Sequence, residues 1–356
     1  MRQRRRFGRL GLGLSTAVLG LFLAVTPTLA CGGLIGPNGA VNLLQTTTLA
    51  GYHAGVEHYV TSFQFAGGGG AFGSITPLPG VPTSVEKGGD WTLQRLIQET
   101  SPQREALLSA AAGAPAADRA IELLKVRIDA LDITVLKGGA SSIGAWAQDH
   151  GFRLPPDAPE VLDFYAERSP IFLAAAFDAD AAQARGQQLG DGTPVHVTIP
   201  TDNPWVPLRI LALGKTGSET ITADVFLLTD VAPALLPVPT GSNGIGLAHS
   251  AAASDSLLAD LQSDRGMEWV PNDAWLTKVT VDGTAAQLGY DLAIDASGAG
   301  RPSAVDAGFT MPGAVVPASS PDLSRLLLAL GFVAVGLVGI GLIGRARPSA
   351  GRSIGW

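Results

Sequence analysis

The chain has 356 residues, of which 46% are apolar, 15% are charged and one is a cysteine. Soluble domains carry about 25% charged residues, so this composition indicates membrane segments beside a folded domain. The single cysteine excludes an intramolecular disulfide framework and a zinc site built from several cysteines.

The first 30 residues have the pattern of a secretory signal peptide. Five arginines among the first nine residues precede an apolar run over 10–25, and Ala30 supplies the small residue before a cleavage site. An uncleaved signal anchor is the alternative interpretation. Residues 4–7 begin like a twin-arginine export motif, but Gly8 stands where a bulky apolar residue belongs, so ordinary secretion and twin-arginine export both stay open.

Cys31 is a candidate lipidation site. Cleavage after Ala30 makes it the first residue of the mature chain, where a lipid anchor could be attached. The preceding Thr28 and Leu29 depart from the Leu-small-small pattern that comes before a lipidated cysteine. A free or intermolecularly paired thiol is therefore the favoured interpretation.

Residues 31–295 predict an extracytoplasmic α+β domain, mainly antiparallel sheet with packed short helices. Alternating or β-branched residues predict strands at 41–48, 56–66, 72–78, the end of 123–136, 171–177, 195–199, 206–213, 220–228, 275–281 and 290–294. Apolar periodicity behind a capping residue predicts helices that begin near Asp90, Ser101, Ser142, Asp157 and Ser254. Residues 50–55 are interpreted as the turn between the strands at 41–48 and 56–66, and residues 214–217 as a hairpin turn between 206–213 and 220–228.

The C-terminal part predicts a stalk, one transmembrane helix and a short tail. Residues 296–325 are rich in Ala, Gly, Ser and Pro, which is typical of a linker. Residues 326–344 contain no charged or polar side chain, and a helix of this length spans about 28 Å, close to the hydrocarbon thickness of a bilayer. The arginines that follow place the tail, 345–356, in the cytoplasm and the domain outside.

The charge of the central region argues against nucleic acid as a partner. Nine of the 24 basic residues flank the two apolar segments, so residues 31–324 keep 15 basic residues against all 31 acidic ones, a net charge of −16. Phosphate polymers and anionic lipids repel such a domain. Solubility explains this charge most simply, and a cation-bearing or envelope protein partner is the sharper interpretation.

The glycine-rich motifs predict loops rather than cofactor sites. Gly214-Lys215-Thr216 lacks the earlier glycine of a phosphate-binding loop, because position 209 is arginine. Residues 241–246 have the glycine order G-x-x-G-x-G, which is not that of a dinucleotide-binding loop. We therefore predict no cofactor and assign no catalytic residue.

The histidines do not form a recognisable metal-binding or catalytic pattern. His53 and His58 flank Glu57, but successive strand residues point to opposite faces, so surface histidines are favoured over a metal site. Asp149 and His150 are adjacent near a predicted helix end, and adjacent helical residues do not face each other. We predict no metal site.

Trp205 is a candidate binding anchor. Pro204 and Pro207 flank it and order the backbone around it, so an exposed indole here would lose little entropy on binding a partner. The alternative is a core tryptophan at the start of a strand, and we expect this outcome because large aromatic residues usually pack inward.

Several short motifs, in order along about residues 31–295, resemble those of an exported bacterial family, domain of unknown function 2330. They lie at 30–33, 75–79, 146–155, 165–172 and 203–209. The family often has a second cysteine shortly after Cys-Gly-Gly, whereas residues 34–36 here are Leu-Ile-Gly, which excludes a disulfide at that place. The resemblance implies an exported domain and supplies no catalytic residues, because the family has no assigned activity.

These observations favour a membrane-anchored cell-envelope protein whose outer domain has a binding or structural role rather than a catalytic one. The single C-terminal helix would hold the domain at the outer surface of the cell membrane. The alternative is an envelope hydrolase that uses a pair of carboxylates or a bound metal, since 31 acidic residues make such a pair available.

Overall fold

The structure is a computed structural model that describes residues 33–36, 39–40, 46–64, 72–101, 122–186 and 192–309. The predicted signal peptide, Cys31, the helix expected after Ser101 and the predicted transmembrane segment at 326–344 lie outside the described residues. Within the described ranges, no helix is long and apolar enough to cross a membrane.

Sixteen strands and five α-helices form the described part of the chain. The strands are β1 Gly33–Gly36, β2 Gly39–Ala40, β3 Thr46–His53, β4 Val56–Gln64, β5 Phe72–Leu78, β6 Ser84–Lys87, β7 Glu122–Ile128, β8 Leu131–Lys137, β9 Ile171–Phe177, β10 Gly192–Pro200, β11 Trp205–Val206, β12 Thr220–Thr229, β13 Ala234–Leu236, β14 Ile245–Ala252, β15 Trp275–Thr284 and β16 Leu292–Asp295. The helices are α1 Thr92–Thr100, α2 Ala140–Asp149, α3 Ala158–Ala166, α4 Ala179–Ala184 and α5 Asp255–Ser263, with 3₁₀ helices at Arg209–Ala212 and Ala285–Gln287.

The strands form three sheets. A seven-stranded sheet has the order β14-β15-β12-β3-β4-β10-β6, a six-stranded sheet has the order β2-β1-β5-β9-β8-β7, and a small sheet has the order β11-β16-β13. Described neighbours pair antiparallel except β3 and β12, which are parallel. The described part is therefore a sheet-rich α+β fold, as the sequence predicts.

The two large sheets pack face to face over a shared core. Ile133 and Leu173 of the six-stranded sheet belong to the same buried cluster as Val197 and Val225 of the seven-stranded sheet. Alternate residues along each strand face this core, which is why these strands carry a two-residue apolar period.

Helices cover the outer face of each sheet. Leu96 of α1 and Leu258 of α5 pack with Phe226 of β12. On the six-stranded sheet, Trp146 of α2 and Leu162 of α3 join a different cluster, which includes β9. The order of layers is therefore helix, sheet, sheet, helix.

The predicted strand at 206–213 is wrong. Only its first residue lies in a strand, in β11, and Arg209–Ala212 is a 3₁₀ helix. Pro207 cannot donate a ladder hydrogen bond, and the Asp291 carboxylate accepts the backbone N–H groups of Leu208 and Arg209. The hairpin predicted around residues 214–217 is therefore absent, and β12 pairs with β3 and β15 instead.

The β3–β4 hairpin is tighter than the six-residue turn expected at 50–55. Its turn residues are Ala54 and Gly55, with φ angles of 51° and 80°. Positive φ at both central positions is typical of a type I′ turn, which matches the twist of the strands. The two strands consequently pair up to His53 and Val56.

The folded chain continues past residue 295, where the predicted stalk begins. Ala307 is buried, and its carbonyl oxygen accepts the backbone N–H of Asp291. The carbonyl oxygen of Asp306 accepts a hydrogen bond from Arg168. Residues 296–309 therefore pack against the domain, and the rest of the predicted stalk lies outside the described residues.

Candidate functional site

A polar pocket lies where the β3–β4 hairpin, residues 201–204 and the loop after β16 meet. Its cavity has a volume of about 210 Å³. The polar side chains that line it are those of Tyr52, Asp202, Asn203, Asp295, Ser297, Arg301 and Ser303. This volume lies below the range of about 300–1,000 Å³ that is typical of ligand pockets, so the cavity would take only a very small polar molecule.

Asp295 shapes one wall of the pocket. Its Oδ1 accepts hydrogen bonds from the Ser297 backbone N–H at 2.8 Å and the Ser297 hydroxyl at 2.5 Å, and its Oδ2 accepts the Arg301 backbone N–H at 2.6 Å. These donors lower the pKa of Asp295. The carboxylate therefore stays ionised and holds the loop after β16 in place.

Tyr52 forms the opposite wall. Its hydroxyl donates a hydrogen bond of 3.0 Å to the Thr201 carbonyl oxygen. Burial raises the pKa of Tyr52, and the nearby carboxyl groups of Asp202, Glu57 and Asp230 raise it further. The pocket lining carries the carboxyl groups of Asp202 and Asp295 and one guanidinium, that of Arg301, so its charge favours a positively charged ligand group.

Glu57 lies directly across the hairpin from Tyr52 and is 0% exposed. Neither of its carboxyl oxygens has a hydrogen-bond partner among the residues that the structure describes. Burial raises the pKa of Glu57 to about 8, and the Trp205 backbone N–H opposes this rise, although it does not reach hydrogen-bonding geometry. Glu57 is therefore mainly protonated at neutral pH.

Trp205 is 1% exposed and packs in the core beside the pocket. Its indole stacks on the Tyr165 ring, with centroids 5.8 Å apart and 19° between the planes. This burial agrees with the core alternative for Trp205 and leaves the indole almost no surface for a partner. The residue that precedes it, Pro204, lines the pocket.

A buried ion pair fixes the chain after Trp205. The side chains of Arg168 and Asp291 are both 0% exposed, and Arg168 Nη2 lies 2.6 Å from Asp291 Oδ2. Asp291 Oδ1 also accepts hydrogen bonds from the Tyr165 hydroxyl and from two backbone N–H groups. The sequence does not reveal this network, because Arg168 and Asp291 are far apart along the chain. Its role is to hold residues 205–210, and so one side of the pocket.

A second cluster of polar side chains lies on the opposite face of β4. His58 Nδ1 is 3.0 Å from His196 Nε2, and the Trp269 ring stacks on His58 with centroids 4.0 Å apart. Burial lowers the pKa of His58 to about 3 and that of His196 to about 4. Both rings are therefore neutral at pH 7.

The three residues considered for a metal site do not converge. His53 Nδ1 lies 2.7 Å from Asp230 Oδ1, His58 pairs with His196, and Glu57 faces the core between the sheets. In the part of the chain that the structure describes, no group of three or more His, Cys, Asp or Glu side chains could hold a metal ion. His150 Nδ1 instead lies 2.8 Å from the Trp146 carbonyl oxygen, near the end of α2.

A family model described as an uncharacterized protein conserved in bacteria, DUF2330, matches residues 26–295. This chain belongs to that family. The match includes Glu57, Tyr52 and residues 201–204 of the pocket but ends before most of the loop after β16. No curated protein matches the sequence. Membership of the DUF2330 family therefore supports the expected relationship but names no activity.

Solved structures of a baculovirus protein are weakly similar to this DUF2330 chain. A mutated baculovirus P35 after caspase cleavage has a TM-score of 0.38 and 10% identity, over 71% of this chain and 99% of that chain. Baculovirus P35 itself has a TM-score of 0.37 and 11% identity, over 71% and 96% of the two chains. Likeness at this level carries no argument about function.

Proposed function

We propose that this protein is a membrane-anchored, extracytoplasmic binding protein of the bacterial cell envelope, and that the polar pocket is its ligand site. The observation that carries the proposal is the pocket itself, a cavity of about 210 Å³ between two walls that hydrogen bonds hold in place. Preformed walls reduce the entropy that a ligand must overcome, which is typical of binding sites.

The location rests on the sequence at the two ends. A basic start followed by an apolar run supports export, and the apolar segment at 326–344 with arginines after it supports a membrane anchor with an internal tail. The net charge of −16 over residues 31–324 supports a soluble domain that keeps away from anionic lipid headgroups.

Protease treatment of intact cells tests this topology. With an epitope tag at the C-terminus, protease added outside should remove the domain and leave a short tagged fragment inside the cell. The same treatment after lysis should digest the tag as well. A domain that survives on intact cells and is digested only after lysis would refute the topology.

Binding of small molecules tests the pocket. Ligand-observed NMR with the purified full-length protein would screen small amines, alcohols, carboxylates and sugars. Asn203→Trp fills the pocket from its exposed rim, whereas Gln94→Trp places the same side chain on the exposed surface of α1 as a matched control. We expect binding to be lost only in Asn203→Trp, and equal binding by both variants would contradict the proposal.

Turnover distinguishes a binding protein from an enzyme. Any compound that binds would be incubated with the protein and its products followed by NMR. An unchanged compound agrees with a binding protein. Hydrolysis that Asn203→Trp abolishes would support the carboxylate hydrolase that the sequence leaves as the alternative.

A further inference from the structure

We propose that Glu57 is the charge-binding group of the pocket and that the ligand carries a primary ammonium group. This inference rests on the proposed function of the pocket, because it names the chemical class of the ligand that the pocket would take. It adds a binding residue that does not itself line the cavity in the absence of a ligand.

The position of Glu57 places it directly behind the pocket wall. Tyr52, which lines the pocket, is the cross-strand neighbour of Glu57, and directly paired residues have Cβ atoms about 5 Å apart. On the other side, the Trp205 backbone N–H approaches the carboxyl, and Pro204 next to it also lines the pocket. A small movement of Tyr52 therefore opens the carboxyl to the cavity.

The chemistry of Glu57 calls for a partner. Buried polar side chains are nearly always hydrogen-bonded, and a buried carboxyl without partners is costly. Within the described residues, Glu57 has neither a hydrogen bond nor an ion pair, whereas the buried Asp291 has four donors around it. The contrast indicates a partner beyond the described residues, and the proposal assigns that role to the ligand.

A primary ammonium group is the best partner for the Glu57 carboxyl. The carboxyl groups of Asp202, before β11, and Asp230, after β12, act on Tyr52, so the local field attracts a cation even while Glu57 is protonated. Metal ions need several ligands, and no group of three or more suitable side chains occurs among the described residues. An ammonium group needs only one carboxylate and offers three donors.

Binding would displace a proton. Because burial raises the pKa of Glu57 to about 8, the carboxyl is protonated at pH 7 without ligand. A bound ammonium ion pairs with the carboxylate, so the Glu57 proton leaves to the buffer and the ammonium keeps all its own protons. At pH 7, complete ionisation on binding would release about 0.9 proton per ligand.

Isothermal titration calorimetry tests the proposal with three probes of similar size: butylammonium, butanol and butyrate. Titrations of the full-length protein at pH 7 in phosphate and in Tris report the proton balance, because these buffers differ in ionisation enthalpy. We expect butylammonium to bind most tightly, with release of about 0.9 proton. Glu57→Gln should weaken it at least tenfold and abolish proton release, and Glu57→Asp should keep the release.

Controls separate the two proposals. Glu167→Gln removes an exposed carboxylate at the end of α3, outside the pocket lining, and should change neither affinity nor proton release. Melting curves establish that the Glu57 variants are folded. If butanol or butyrate binds as tightly as butylammonium and Asn203→Trp abolishes this binding, the pocket stands and the role of Glu57 is refuted. Amine binding without proton release, or with full affinity in Glu57→Gln, also refutes it. If none of the three probes binds, the role of Glu57 is refuted, and the NMR screen decides whether the pocket binds another class of ligand.

Discussion

Replacement of Glu57 by glutamine should stabilise the protein at neutral pH. The pKa of Glu57 rises from 4.5 to about 8 in the fold, so the folded state holds a proton that the unfolded state has lost between these values. A group with a raised pKa contributes its full stability below pH 4.5 and loses it as the pH rises towards 8. At pH 7 the loss is 2.5 pKa units at 1.36 kcal/mol each, or about 3 kcal/mol. Glutamine keeps the size and does not titrate.

Urea unfolding of the wild type and Glu57→Gln at pH 4.5, 6, 7 and 8 measures this effect. The difference in free energy of unfolding between the two proteins should grow by about 3 kcal/mol from pH 4.5 to 7 in favour of the variant. The comparison across pH cancels the fixed cost of a buried amide. Glu167→Gln is the exposed control and should follow the wild type. If the curves for Glu57→Gln and the wild type run parallel, the reasoning about burial is refuted.

Three further predictions concern side chains outside the pocket lining. Lowering the pH from 6.5 to 5 should destabilise the wild type relative to His196→Gln by about 2 kcal/mol in urea unfolding, because the lowered pKa of His196 keeps it neutral in the fold while the unfolded state gains a proton. Trp205→Ala should cost about 3–5 kcal/mol, measured in the same way, and a small loss would restore Trp205 as a surface anchor. Asp291→Asn should lower the free energy of unfolding by about 3–5 kcal/mol, because Arg168 stays buried without its anion. A near-neutral result would show that the ion pair is not buried.

Local patterns in the sequence predict strands in which apolar and polar residues alternate, or in which apolar residues form a run. The strands at 72–78 and 171–177 are confirmed over their full length, because both are buried and rich in β-branched or aromatic residues. The helix after Ser254 is also confirmed, with the Ser254 hydroxyl accepting the Leu257 N–H. In these elements the signal lies within one turn or a few residues.

Elements that depend on distant partners could not be predicted in this way. β14 is made largely of glycine, alanine and serine, and it is a strand because β15 pairs with it. The start of α1 is satisfied by Asp264 from the end of α5, which accepts the N–H groups of Trp91 and Thr92, rather than by Asp90. Side-chain caps across more than 170 residues leave no local trace.

The candidate site was missed for a similar reason. The expected turn at 50–55 includes Tyr52, so the sequence gives no hint that Tyr52 pairs with Glu57. The true turn is Ala54-Gly55, which moves Tyr52 into β3 opposite Glu57. Alternation along β4 does separate Glu57 from His58, but it does not tell which of the two faces the core between the sheets. The burial of Glu57 follows from the second sheet packing on that face.

The loss of folding stability that Glu57 causes at neutral pH indicates that its role is in binding. Folded domains are stable by about 5–15 kcal/mol, so about 3 kcal/mol at neutral pH is a large fraction. Glutamine would fill the same space without titrating, and an apolar residue would suit the surrounding core better. The Glu57 carboxyl has no partner among the described residues, and its cross-strand neighbour Tyr52 lines the polar pocket. Its presence is therefore better explained by binding than by folding. If Glu57→Gln gains stability and loses the amine, the two measurements together assign the cost to the ligand.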